Sequence, residues 1–227
     1  WDVSLVTDME DLFKNKAQFN ADISRWNTAK VTNMAGMFGY AAKFDRDIDT
    51  SGDKWNTAAV TKMDFMFSGA AKFDKSIANW NTAAVTTMQQ MFKDAPAFDQ
   101  TLPTSGNTWK TTAVTNMAGM FDGASAFNQN IGAWDTAAVT TMANTFKGAA
   151  AFNQAIPTNG DKWNTAKVIT MSQMFLGASA FDKDIGTWDV SKVTSLRSMF
   201  HGATAFNNGG ADTIKAWKTG LVTDMKN

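Results

Sequence analysis

The sequence predicts an α/β solenoid: a stack of eight coils, each a short helix followed by a short parallel strand. Three observations predict it. The nine tryptophans, at 1, 26, 55, 80, 109, 134, 163, 188 and 217, recur at strictly alternating intervals of 25 and 29 residues. Counted from each Trp as zero, Val returns at position five in all nine copies, and Phe at positions twelve and eighteen in all eight complete ones. Positions eight and eleven hold all 14 Met, and the Phe columns hold 16 of the 17 Phe; Phe65 alone falls outside. Self-similarity at such a period marks a chain whose units are stable only beside their copies. Residues 1–227 therefore read as a single repeat array, with coils starting at 1, 26, 55, 80, 109, 134, 163 and 188 and a partial ninth from 217. The chain opens at Trp1, mid-pattern, and is read as an excerpt of a longer protein.

The helix is expected from steps of three and four. Val31, Met34, Phe38 and Ala41 would share one helical face. Thr28 stands ahead of them as an N-cap. Gly at position fourteen (Gly69, Gly123, Gly148, Gly177, Gly202) suits the left-handed residue that ends a helix. The strand is expected between the second Phe and the next Trp, as in "FDKSIANW" from Phe73 to Trp80. Asn or Asp follows the second Phe in every complete copy, placed to satisfy turn backbone groups that stacking removes from water. Stacking would turn each apolar column into a buried ladder. Each buried Trp is worth on the order of 4–6 kcal/mol as an upper bound.

Four extra residues enter every second coil, read in "DTSGDKW", "PTSGNTW" and "PTNGDKW". They are turn formers. The candidate contact residues are Asp49, Thr50, Ser51, Asp53, Thr104, Ser105, Asn107, Thr158, Asn159 and Asp161. Loops on a rigid scaffold carry recognition; the same loops would equally serve to tune superhelical twist.

Composition narrows the chemistry. The chain has 21 basic and 21 acidic residues and no net charge, so it carries no electrostatic footprint for nucleic acid. No run of 18 apolar residues is present, so no membrane span is expected in this segment. No Cys is available as a nucleophile, and the one His, His201, occupies a column that varies freely. The sequence is accordingly read as that of a protein that is not an enzyme and takes no cofactor or metal. "DRDIDTSGD" (45–53) places acids at alternate positions like a Ca²⁺ loop but lacks its central Gly. The Met columns read as flexible core filler rather than soft-metal ligands, and the Trp column as core rather than a sugar platform. Thr fills position two in seven of nine copies and position six in eight of nine. Stacked hydroxyl rows of that kind would suit ice or a mineral surface, while capping and turn bonds account for them equally.

"WDVSKVTSLRSMFHGATAFNN" (188–208) and "WNTAKVTNMAGMFGYAAKFD" (26–45) resemble a bacterial surface-protein repeat with the consensus W-D-x-S-x-V-T-x-M-x-x-M-F-x-G-A-x-x-F-N-x-x-I-x-x-W. That repeat is similar to the BspA-type leucine-rich repeats, and the match runs the whole chain. The resemblance implies a leucine-rich-repeat-like stack, an extracellular or cell-surface location and no catalytic motif. The strict 25/29 alternation departs from the consensus. The function expected is a structural or adhesive scaffold of an extracellular or surface protein, assembling into a fibre. The alternative is a carbohydrate- or protein-binding receptor module. The partners expected are other copies of the chain, as a homopolymer, or surface glycans and proteins.

Overall fold

The computed structural model describes residues 1–48, 55–104, 109–157 and 162–226. Among them the coils stack in sequence order. The residue seven after each Trp pairs in parallel with its counterpart, in one line from Asp8 through Asn33, Lys62, Thr87, Asn116, Thr141, Thr170 and Ser195 to Asp224.

The coil itself is not the one predicted. The described residues contain no α-helix, and no strand beyond these single-residue bridges. Two 3₁₀ turns, Asn208–Gly210 and Asp212–Ala216, are the regular elements among them. The α/β coil of helix plus strand, and the leucine-rich-repeat-like architecture built on it, are overturned.

Hydrogen bonding gives the reason. In the expected helix, Met37 N–H donates to Met34 C=O and Ala41 N–H to Phe38 C=O, three residues back. The alternate N–H groups leave the coil: Met34 donates to Lys62, Gly36 to Asp64, Phe38 to Met66 and Tyr40 to Ser68. An α-helix keeps its N–H groups to itself; this segment sends every second one to the next coil. Such a path needs left-handed backbone at two places per coil. Positions ten and fourteen supply it in all eight complete copies, with φ between 50° and 75°. Thr28 does not cap a helix either. Its hydroxyl donates to Asn56 C=O and accepts Asn56 N–H, both in the next coil.

The predicted core is where the columns placed it. From Val31 to Phe181 the Val, Met, Phe, Ala and Ile columns are buried. The two Phe rings of a coil stack face to face, as Phe121 and Phe127 do at 3.9 Å. Between neighbouring coils, rings of one Phe column lie 5.5–6.1 Å apart. That is wider than the roughly 4.8 Å of paired strands, as offset stacking requires.

The Asn/Asp column forms the expected polar ladder. Each side-chain oxygen accepts the backbone N–H of its counterpart one coil on, in an unbroken line from Asn20 through Asp45, Asp74, Asp99, Asn128, Asn153 and Asp182 to Asn207. The distances run from 2.7 to 3.2 Å.

The Trp column divides in two by its indole hydrogen bonds. Trp217 follows the last 29-residue interval yet donates to the Ile185 carbonyl at 3.2 Å, so interval length alone does not set the division. Trp80, Trp134 and Trp188 donate their indole N–H to Ile48, Leu102 and Ile156 carbonyls at 2.9–3.2 Å. Trp55, Trp109 and Trp163, each following an insertion, have a buried indole N–H without a partner among the described residues. Trp134→Phe leaves the Leu102 carbonyl unsatisfied, whereas Trp109→Phe removes a group that was already unpaired. Urea unfolding should therefore show Trp109→Phe to be less destabilising than Trp134→Phe by about 1–2 kcal/mol. Equal costs would mean that the indole bond contributes nothing.

Candidate binding groove at the loop edge

The short coil 109–133 lies between two long ones, and a recess opens over it. The recess over coil 109–133 has a volume of about 530 Å³. Leu102, Pro103 and Thr104 form one wall, and Ala155 and Pro157 the other; Asn130, Gly132, Ala133 and Trp134 lie between them. Gly132 is required here. A Cβ on it would stand 2.8 Å from the Ala155 carbonyl oxygen, so only glycine lets the next coil come this close. The Asn130 side chain fixes the local turn by accepting Gly132 N–H at 2.9 Å.

Of the ten predicted contact residues, Thr104 lines this groove. Asp49, Thr50, Ser51, Asp53, Ser105, Asn107, Thr158, Asn159 and Asp161 lie outside the described residues. Sequence reasoning missed Asn130 and Gly132, which sit in a short coil where no insertion drew attention to them. A signal was available: the short coil is four residues leaner than both neighbours, which leaves room for a recess at its edge.

Among the described residues that line it, the groove is uncharged. Its polar side chains are Thr104 and Asn130, and Trp134 presents almost no surface, being 1% exposed. Its surface suits an uncharged partner segment; it offers neither an acid–base pair nor an indole face to a sugar. The equivalent place in the last double coil is closed by the chain itself. There Thr213 covers Gly186, and its hydroxyl donates to the Asp184 carboxylate at 2.6 Å.

Other candidates disperse. Asp45, first residue of the acidic run, belongs to the ladder: one carboxylate oxygen accepts Asp74 N–H and the other pairs with Lys75 at 3.3 Å. The remainder of that run from Asp49 lies outside the described residues. Among the described residues no group of three His, Asp or Glu side chains is placed to hold a metal ion, and no helix is long and apolar enough to cross a membrane. The two Thr rows do not share a surface. Position two is buried from Thr28 to Thr165. Position six faces solvent, with each Thr hydroxyl donating to the preceding coil's carbonyl, as Thr32 does to Thr7 and Thr86 to Thr61. Ile169 interrupts that row.

The ladder's last carboxylate is electrostatically distinct. Backbone N–H groups of Gly209 and Asn207 donate to Asp182 at 2.8 and 2.7 Å and hold its pKa below the usual carboxylate value. A depressed folded-state pKa contributes stability that is present above the unfolded value, near pH 4, and is lost as pH falls through the folded value. The protection of the Asn207 and Gly209 amides against exchange, relative to the intrinsic rate at each pH, should therefore fall as the pH drops below about 4. Asp182→Asn, which cannot titrate, should remove that dependence.

Among solved structures, the chain is similar to a leucine-rich cell surface protein from Faecalibacterium prausnitzii A2-165. The alignment covers 98% of this chain and 74% of that one, at 12% identity and a TM-score of 0.35. No curated protein matches the chain. Residues 1–105, 103–207 and 157–227 each match one protein family, and together these segments cover the whole chain. The resemblance drawn from the repeats thus holds at the level of a repeat family, and the chain belongs to the family described as Mycoplasma protein of unknown function, DUF285.

Proposed function

We propose that this chain is a structural or adhesive scaffold segment of an extracellular or cell-surface protein, assembling into a fibre with other copies. The observation that carries this reading is the Asn/Asp ladder, unbroken from Asn20 to Asn207. Together with the line of parallel bridges, it commits the polar groups of each coil to its neighbours. Such a molecule is stiff along its axis and offers little reactive chemistry. The uncharged, proline-walled groove is where another protein segment would lie against it. Negative-stain electron microscopy of the protein from its native source tests the reading. Long fibres are the expected result, and separate short rods would remove fibre assembly from it. A second reading, a receptor module for glycans or proteins, is favoured by the groove at Thr104 and Asn130. A flat response of the isolated array across glycans and proteins would exclude it.

A further inference from the structure

The chain has one Tyr, Tyr40, and one Phe outside the Phe columns, Phe65. Both stand at left-handed positions, φ 58° and 57°, in adjacent coils. Elsewhere those two columns hold Gly, Asn, Asp, Gln or Ser, which are small or unbranched polar residues. Bulky side chains are disfavoured in that backbone conformation, and such outliers concentrate where a site needs them. Neither ring joins the core: Tyr40 is 50% and Phe65 39% exposed. Gly69 gives the Tyr40 ring its seat, since a Cβ there would come within 2.5 Å of the ring.

The two aromatics line one recess of about 370 Å³ together with Glu10, Asp11 and Lys14. The polar rim is already set. Lys14 Nζ donates to Asp11 at 2.8 Å. The Asp11 carboxylate lies over Gly36, where a Cβ would sit 2.0 Å from its oxygen. Glu10 accepts from the Asn33 amide at 2.8 Å. The recess thus combines exposed aromatic surface with hydrogen-bond acceptors and one cationic donor. A ligand that matches it has an apolar C–H face and several hydroxyls. Both carboxylates are already engaged, Asp11 by Lys14 and Glu10 by the Asn33 amide, which leaves little free negative charge to hold a cationic ligand. The volume is near the small end for ligand sites, which limits the occupant to one or two rings.

We propose that the recess formed by Tyr40, Phe65, Glu10, Asp11 and Lys14 binds a neutral saccharide of one or two rings. The site goes beyond the scaffold reading and stands without it, because a chain that forms no fibres would keep this recess intact.

The single Tyr makes the test direct. Protein made with ring-labelled tyrosine gives one aromatic tyrosine signal set by NMR. It is titrated with glucose, galactose, N-acetylglucosamine, cellobiose, maltose and lactose. The expected result is a saturable shift of the Tyr40 signal with at least one sugar. Phe65→Asn should weaken that binding by about tenfold or more while the melting temperature stays level or rises. Asn already occupies the same column at Asn144 and tolerates its backbone. If Phe65→Asn fails to fold, Lys14→Met, at an exposed position, carries the same expected loss. The proposal is overturned if no sugar moves the signal, if tetramethylammonium moves it and sugars do not, or if both variants fold and bind as the parent does.

Discussion

Phe121→Ala lowers the free energy of unfolding by about 3–5 kcal/mol, the range for truncating a fully buried aromatic. Phe121 has no exposed surface. Its ring stacks on Phe127 at 3.9 Å, on Phe92 at 5.6 Å and on Phe146 at 5.8 Å, and meets Trp134 at 6.2 Å. Three coils lose a contact at once, and the rigid turns around the site leave the cavity little chance to collapse. Because a stack of repeats is stabilised by its neighbour interfaces, the damage falls at the centre and weakens the coupling between the two halves. Phe13→Ala, in the first coil, where the ring is buried but stacks on one neighbouring coil only, should cost clearly less. Urea denaturation of both variants checks this. Equal costs would mean that stability is not distributed along the stack by neighbour contacts.

Thr136→Val is the second large effect, although it alters no apolar contact. Thr136 is fully buried. Its hydroxyl donates to Asn164 C=O at 2.8 Å and accepts Asn164 N–H at 2.7 Å, so one side chain satisfies both backbone groups of a residue in the next coil. Valine has the same shape and neither bond, which leaves a donor and an acceptor unpaired. Two such groups at about 1–3 kcal/mol each give about 2–6 kcal/mol, and because Asn164 is only half-buried the expected cost lies in the lower part, about 2–4 kcal/mol. Thr57 donates to Asn81 C=O at 3.1 Å and, among the described residues, accepts no backbone N–H, so Thr57→Val should cost about 1–2 kcal/mol. Amide exchange at Asn164 should accelerate in Thr136→Val and recover in Thr136→Ser. A Thr136→Val protein as stable as its parent would show that another group takes over these bonds.

The candidate sites were legible to different degrees. Of the insertion residues named from the sequence, Thr104 lines the groove, and the other nine lie outside the described residues. Asn130 and Gly132 were not singled out, because they become a floor only when two longer coils stand on either side of theirs. Phe65 stood out as the Phe that breaks its column. Its partnership with Tyr40, twenty-five residues earlier, depends on the stacking of positions ten and fourteen, which the expected helix would have placed differently.

The sequence by itself determined the repeat, its register, the identity of the core columns and the Asn/Asp ladder. Each of these follows from residue type at a fixed position, and stacking in register is the way such a chain buries its apolar columns. Position fourteen was also correctly marked as left-handed by its glycines. What only the tertiary structure decided was the path of the coil. Steps of three and four belong equally to an α-helix and to successive tight turns closed three residues back. The two differ in the destination of the alternate N–H groups. Here Met34, Gly36, Phe38 and Tyr40 find acceptors in the next coil, and an acceptor supplied by a neighbour leaves no mark on the local sequence. The same holds for Thr28 and its equivalents, whose hydroxyls serve the neighbouring coil rather than their own.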